Sequence, residues 1–157
     1  MKKLITVIAI LLLCLNNIGF AEETTFNTCK LTDAKGKQAD ARLILSDNDK
    51  DLVIRVSDRD VITIPYENVD KFSYEFTKKH RITQGAIVMI ASLGAGAIVM
   101  LTNSKSHWLY IDYHEQNAPK SLVLRLDKSD YQKIIASIKT HTGKDVEMLA
   151  QDGKTKG

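Results

Sequence analysis

The chain has 157 residues, with 22 Lys and Arg against 19 Asp and Glu, a net charge of +3. That is long enough for one domain with its own core. The basic excess is too small and too scattered for a nucleic-acid-binding face.

The N-terminus follows the secretory pattern. Lys2-Lys3 form a basic start, Leu4–Leu15 an apolar run, and Gly19-Phe20-Ala21 a small-residue site ahead of Glu22. Residues 1–21 are therefore expected to be a signal peptide cleaved after Ala21, with export to the periplasm or cell envelope. An uncleaved anchor is the alternative. Cys14 does not fit lipoprotein processing, because Leu13 stands where a small residue is required. Cleavage would leave Cys29 as the single cysteine, so no internal disulfide is expected. Cys29 reads as a small residue near the start of the mature chain, with an intermolecular bridge or a reactive thiol as the sharper alternative.

Residues 22–40 read as a polar N-terminal segment with one short strand around Phe26–Leu31. The main domain is expected over 41–148, with an apolar insert at 82–103 and a disordered tail at 149–157. Ala41–Leu45 is an apolar run, closed by the turn cluster Ser46-Asp47-Asn48-Asp49. Leu52, Ile54 and Val56 alternate with Val53 and Arg55, as in a half-buried strand. Ser57–Asp60 is a second turn. Val61–Ile64 is a further strand ended by Pro65, which has no N–H to donate to a ladder. Tyr66–Val69 predicts one helical turn. Phe72, Tyr74 and Phe76 alternate with Lys71, Ser73 and Glu75, which predicts an aromatic inner face and a polar outer one.

Beyond the insert, Trp108–Tyr113 and Leu122–Leu126 predict a hairpin across the turn-rich His114–Lys120. Tyr131, Ile134, Ile135 and Ile138 then make one helical stripe. Ser129 and Gln132 have capping-box spacing at its start, and Gly143 stands just past its end. Asp145–Leu149 suggests one more short turn. The fold class expected is mainly β (α+β): a small curved antiparallel sheet or barrel, a C-terminal amphipathic helix covering one opening, and an apolar helical insert between strands.

The strand series Leu52–Val56, Val61–Ile64 and Lys71–Phe76 carries a resemblance. So do the turn Ile64-Pro65-Tyr66-Glu67-Asn68-Val69 and the ending from Leu122 through Tyr131 to Thr142-Gly143-Lys144. On these residues the chain resembles the bacterial pleckstrin-homology-like (PH-like) and GRAM-like families over roughly 41–148. It is also similar to a group of bacterial secreted proteins with a glycine-containing apolar insert before a strand like His107–Tyr113. The resemblance implies a binding or scaffolding module and brings no enzyme residues. The basic phosphoinositide loop of some PH domains has no counterpart here, so that ligand is not implied.

No catalytic or metal motif competes with this reading. His80, His107, His114 and His141 lack metal-ligand spacing with one another or with Cys29, and each reads as a surface or strand-end histidine. Asp47, Asp49 and Asp51 lack the Gly and distal Glu of a calcium loop and read as a hairpin turn. Gly94–Ala97 is no phosphate cradle, because no Lys-Ser/Thr follows. Neither catalysis nor a cofactor nor a metal is expected.

Gly85–Leu101 holds seventeen residues without a charge. As one helix it would span about 26 Å at about 1.5 Å per residue, the short limit for a bilayer. A single crossing would part Phe72–Phe76 from Trp108–Tyr113, which cannot happen if both belong to one sheet. Two readings keep the domain whole. In one, the run bends at Gly94 and Gly96 and dips into one leaflet. Ile87, Val88, Ile90, Leu93, Ile98, Val99 and Leu101 then meet lipid, with Lys78, Lys79, Arg81 and Lys105 at headgroup level and Trp108 and Tyr110 as interfacial aromatics. In the other, the run packs into its own core or a subunit interface, with Ala91, Ser92, Ala95 and Gly96 allowing close helix approach. The expected function is thus a non-enzymatic exported module that touches membrane lipid. The alternative is a protein-interaction or self-assembly module, with a homo-oligomer or an envelope protein as partner.

Overall fold

A computed structural model of the chain describes residues 23–33, 38–78 and 105–149. These form β1 (Glu23–Thr32), β2 (Gln38–Ser46), β3 (Asp51–Val56), β4 (Arg59–Pro65), a 3-10 turn (Tyr66–Asn68), β5 (Val69–Thr77), β6 (Ser106–Glu115), β7 (Ala118–Leu126), α1 (Tyr131–Thr142) and β8 (Val146–Met148). The strands make one eight-stranded sheet in the order β4-β3-β2-β1-β7-β6-β5-β8. Every pairing is antiparallel except β5 with β8. The expected mainly β sheet with one C-terminal helix is therefore present. The apolar insert, including Ile87, Val88, Ile90, Leu93, Gly94, Gly96, Ile98, Val99 and Leu101, lies outside the described residues, as do Lys79, Arg81, the signal segment and the last residues of the tail.

Alternation explains the strands. Leu43 and Leu45 on β2, Leu52 and Ile54 on β3, Leu109 and Ile111 on β6, and Leu122 and Leu124 on β7 point to one shared core. A core drawn from both ends of so wide a sheet requires the sheet to bend around it. Register shifts at Phe26/Cys29, Ile54/Arg55 and Val69/Lys71 supply local bends, since an extra residue on one strand increases its twist. Two hairpins turn on residue pairs with positive φ: Ser57 and Asp58 (50° and 62°), then Gln116 and Asn117 (50° and 65°). Positive φ at both central residues matches the right-handed twist of the flanking strands. The β6–β7 turn is thus tighter than the stretch His114–Lys120 suggests.

The helix closes the core with Ile134 and Ile138, both 0 % exposed. Burial of each contributes about 1.5–3 kcal/mol relative to exposure. Gly143 ends the helix with φ of 69° and donates its N–H to the Lys139 carbonyl at 2.9 Å. The start differs from expectation. The N-cap is Asp130, with no side-chain cap bond. The Ser129 backbone N–H already donates to Asp127 Oδ1 at 2.8 Å, which holds Ser129 in the preceding turn and pre-empts the Ser129–Gln132 capping box.

Three further differences concern β1, β8 and the outer face. The segment read as short and peripheral supplies the ten-residue β1, which pairs with β2 on one side and β7 on the other. Asp145–Leu149 holds strand β8 rather than a turn, paired with Phe72–Tyr74. The face of β5–β7 turned away from the core, expected to be solvated, is buried: Glu75 is 0 % exposed and Tyr110 3 %. Tyr110 donates to Glu75 Oε2 at 3.1 Å, and Trp108 Nε1 donates to the Thr77 carbonyl at 3.2 Å. Leu149 packs on Trp108, Tyr110 and Val123. Trp108 and Tyr110, read from sequence as interfacial aromatics, are in this state buried and hydrogen-bonded.

Candidate functional site

The seam between the two halves of the sheet is short. β1 pairs with β7 only through Lys30↔Arg125, Leu31↔Leu124 and Thr32↔Val123. Beyond Arg125 the strands part. A cleft of about 840 Å³ opens there, bounded by Thr28 and Lys30 on β1, the ends of β5 and β6, the end of β7 and the first turn of α1. Its size falls in the range of small-ligand sites.

One wall is aromatic. The β5–β6 register sets Phe76 opposite His107, and their rings stack at 4.6 Å. Tyr131 from α1 stacks on the other side of His107 at 4.0 Å, and Tyr74 lies 5.7 Å from Tyr131. Tyr74 Oη and His107 Nδ1 share a hydrogen bond of 2.6 Å. Burial, then the Tyr131 hydroxyl, pushes the Tyr74 phenol up to about 12, so it keeps its proton. Burial first, and Lys128 second, hold His107 below its ordinary range, although Asp127 pulls the other way. The histidine therefore sits in the wall as a neutral ring at pH 7.

The rim is cationic. Among the described residues, Lys30, Lys105, Arg125 and Lys128 line the cleft against one carboxylate, Asp127. Lys30 pairs outward with Asp40 at 2.7 Å. Lys105 Nζ lies 5.7 Å from the Phe76 ring centroid, within cation–π range. Arg125 reaches Gln38 at 3.4 Å. Asp127 is held below the usual carboxylate range by hydrogen bonds from Ser129. Asp130, just outside, is lowered chiefly by the Thr28 hydroxyl, which donates to it at 2.8 Å.

Of the site residues read from sequence, Lys78 and Lys105 are both exposed. They are brought together: Thr77 pairs with Ser106, so the chain leaves β5 and enters β6 at adjacent positions. Phe72–Phe76 and Trp108–Tyr113 belong to one sheet, so a crossing that parted them would break this pairing. Lys105 also belongs to the cleft. His107 lies in the cleft wall, whereas Asp112 faces the other side of β6 and accepts a bond from the Ser121 hydroxyl. His114 pairs with Asp70 at 3.0 Å.

His141 is placed differently from the surface position expected of it. Its side chain is 4 % exposed and sits 3.0 Å from Asp47. Its Nε2 is 2.8 Å from Thr24 Oγ1. Nε2 and the Thr24 hydroxyl share this hydrogen bond. His141 lies away from the cleft and ties the end of α1 to β1 and the β2–β3 turn.

Cys29 is 1 % exposed, and burial pushes its thiol up to about 12, which makes it a core residue rather than a reactive one. Among the described residues no group of three His, Cys, Asp or Glu could hold a metal ion, and no helix is long and apolar enough to cross a membrane.

Sequence reasoning missed Phe76, Arg125, Lys128 and Tyr131 as site residues. The available signal was positional. Phe76 and His107 are inward-phase residues at strand ends, where a curved sheet opens.

No protein-family model matches the chain, and no curated protein matches it. Among solved structures, a chain of the Spt16D–Pob3N heterodimer aligns with a TM-score of 0.49 at 12% identity, over 87% of this chain and 61% of that one. The present chain thus spans less than two thirds of that neighbour's length. The hSac2 domain of the human phosphoinositide phosphatase Sac2 aligns with a TM-score of 0.44 at 16% identity, over 99% of this chain and 93% of that one.

Proposed function

We propose that the chain is a non-enzymatic, PH-like binding or scaffold module, exported to the cell envelope, whose working end is the open end of the sheet around Lys78 and Lys105. One observation carries the reading. The Thr77↔Ser106 pairing puts both roots of the apolar run beside the cation-rimmed cleft. The chain's long uncharged stretch and its cation-rimmed cleft therefore start from the same end of the sheet.

On this reading Gly85–Leu101 contacts a membrane from one side, and the adjacent cations draw the domain to anionic headgroups. Apolar burial and attraction to anionic lipid act together in such binding, and either alone is marginal. Flotation of the purified protein with vesicles tests it. Co-flotation with phosphatidylglycerol vesicles, and less with phosphatidylcholine vesicles, is expected. Equal recovery in the soluble fraction with and without anionic lipid would refute it.

The alternative reading, self-assembly through the same run, is favoured by its small residues Ala91, Ser92, Ala95 and Gly96. It predicts a detergent-free oligomer of single size that Ile87→Asp with Val99→Asp dissociates. An oligomer unchanged by that pair would dismiss the interface.

A further inference from the structure

The cleft's chemistry narrows its ligand. We infer that it takes an acidic peptide segment of a partner protein, with an apolar or aromatic side chain against the Phe76–His107–Tyr131 wall and carboxylates on the surrounding cations. The inference rests on the reading of the chain as a binding module and deepens it by naming a partner class.

Charge is the first argument. Among the described residues four cationic side chains line the cleft against one carboxylate; Lys30 is already paired with Asp40, so Lys105, Arg125 and Lys128 carry the excess, although the whole chain is close to balanced. A concave site of one sign favours a ligand of the other. These cations come from separate elements. Lys30 is on β1, Lys105 precedes β6, Arg125 is on β7, and Lys128 is in the turn before α1. They ring the cleft instead of converging on one point.

That spread, and the state of the helix start, argue against a compact phosphoryl dianion. A phosphate is held best where several N–H groups meet at a helix N-terminus. Here Asp127 already takes the Ser129 N–H at 2.8 Å, and Asp130 takes the Thr28 hydroxyl at 2.8 Å and lies 3.5 Å from Lys133. Two carboxylates stand where the dianion would need amides. Single carboxylates spaced along a peptide can meet the rim cations one at a time and avoid that corner.

The wall supplies the third argument. Phe76, His107 and Tyr131 are each only partly buried, and His107 is held neutral by burial and Lys128. The wall therefore offers apolar ring surface without adding charge. Lys105, Asp127, Lys128 and Gln132 at the mouth are exposed. A small molecule would stay largely wet there, whereas a chain segment can lie across the opening.

Fluorescence anisotropy on the purified protein, without lipid, tests the assignment with a fluorescein-labelled peptide of alternating Glu and Leu/Phe. The expected result is saturable binding that weakens with salt, because rim charges are screened. Amide NMR shifts should centre on His107, Lys128 and Tyr131. Replacing the Leu/Phe positions by Ser should weaken binding, since the wall would lose its side chain.

Lys105→Glu with Lys128→Glu, both at exposed positions, should weaken binding by at least about tenfold with an unchanged circular dichroism spectrum. Affinity unaltered by that pair, equal affinity for a Lys/Leu peptide, or full displacement by millimolar inorganic phosphate would each overturn the inference. The lipid-free format separates it from the membrane reading. Peptide binding lost with flotation retained removes the peptide ligand alone, and the converse result removes the membrane contact alone.

Discussion

His141 should fasten the C-terminal end of α1 to the sheet, and its removal can be costed. His141→Ala deletes the contact at 2.8 Å to Thr24 and the one at 3.0 Å to Asp47. Thr24 is only partly buried, so its hydroxyl left without a partner costs about 1–2 kcal/mol. The Asp47 contact is out of line for a good hydrogen bond, and the carboxylate is 31 % exposed. Water can reclaim it, and its share is about 1 kcal/mol or less. A further contribution of about 1 kcal/mol comes from the space left by the ring. The total loss is about 2–4 kcal/mol, or roughly 8–16 °C in Tm at about 4 °C per kcal/mol for a domain of this size. Urea denaturation followed by circular dichroism and by Trp108 fluorescence measures it. Thr24→Val should reproduce about half the loss and should not add fully to His141→Ala, because the two remove one bond. A single-mutant loss under about 0.5 kcal/mol, or strict additivity, would show that the Thr24–His141 bond does not fasten the helix.

Three further outcomes follow from described geometry. His107 binds its proton less tightly folded than unfolded, because burial and Lys128 oppose its charge. Its contribution to stability is complete above the unfolded value near 6.5 and is lost as pH falls from there through the lower folded value. His107→Phe should flatten the stability profile in that window, and an unaltered slope in urea midpoints against pH would contradict the assignment. Cys29 should resist thiol reagents in native protein and label only on unfolding, given its burial and raised thiol; fast native labelling would exclude that placement. Gly143→Ala should cost about 1 kcal/mol purely through its left-handed φ, since nothing lies within 4 Å of the added Cβ. A loss well above that by thermal denaturation would mean an unseen clash.

Local pattern carried most of the fold. Phe72–Phe76 read as a strand because inner and outer residues alternate, and the helix read as one because Ile134 and Ile138 repeat at its period. The role of β1 was illegible for a physical reason. Glu23, Thr25, Asn27, Thr28 and Lys30 are exposed, so beyond the short strand read at Phe26–Leu31 the segment has the polarity of a loop, and its full length as a strand comes from backbone pairing to β2 and β7. The buried outer face was hidden similarly. Ser73 and Glu75 look like solvated positions, and only the sheet places Tyr110 beside them. The cleft was illegible because its residues come from five elements and meet only through the β5–β6 register and the packing of α1. Even so, His107 and Lys105 were singled out individually.

The short seam between β1 and β7 also bears on how the chain reaches its native state. Lys30–Thr32 must wait for Val123–Arg125, about the full length of the domain later in synthesis. Closing so long a loop has an entropic cost that only late contacts offset, and topologies dominated by distant pairings fold slowly. The β2–β4 meander and the β5–β7 strands can each pair internally first, but joining them requires both ends of the chain. Until then the two halves of the sheet stay unjoined, and the core they share remains incomplete.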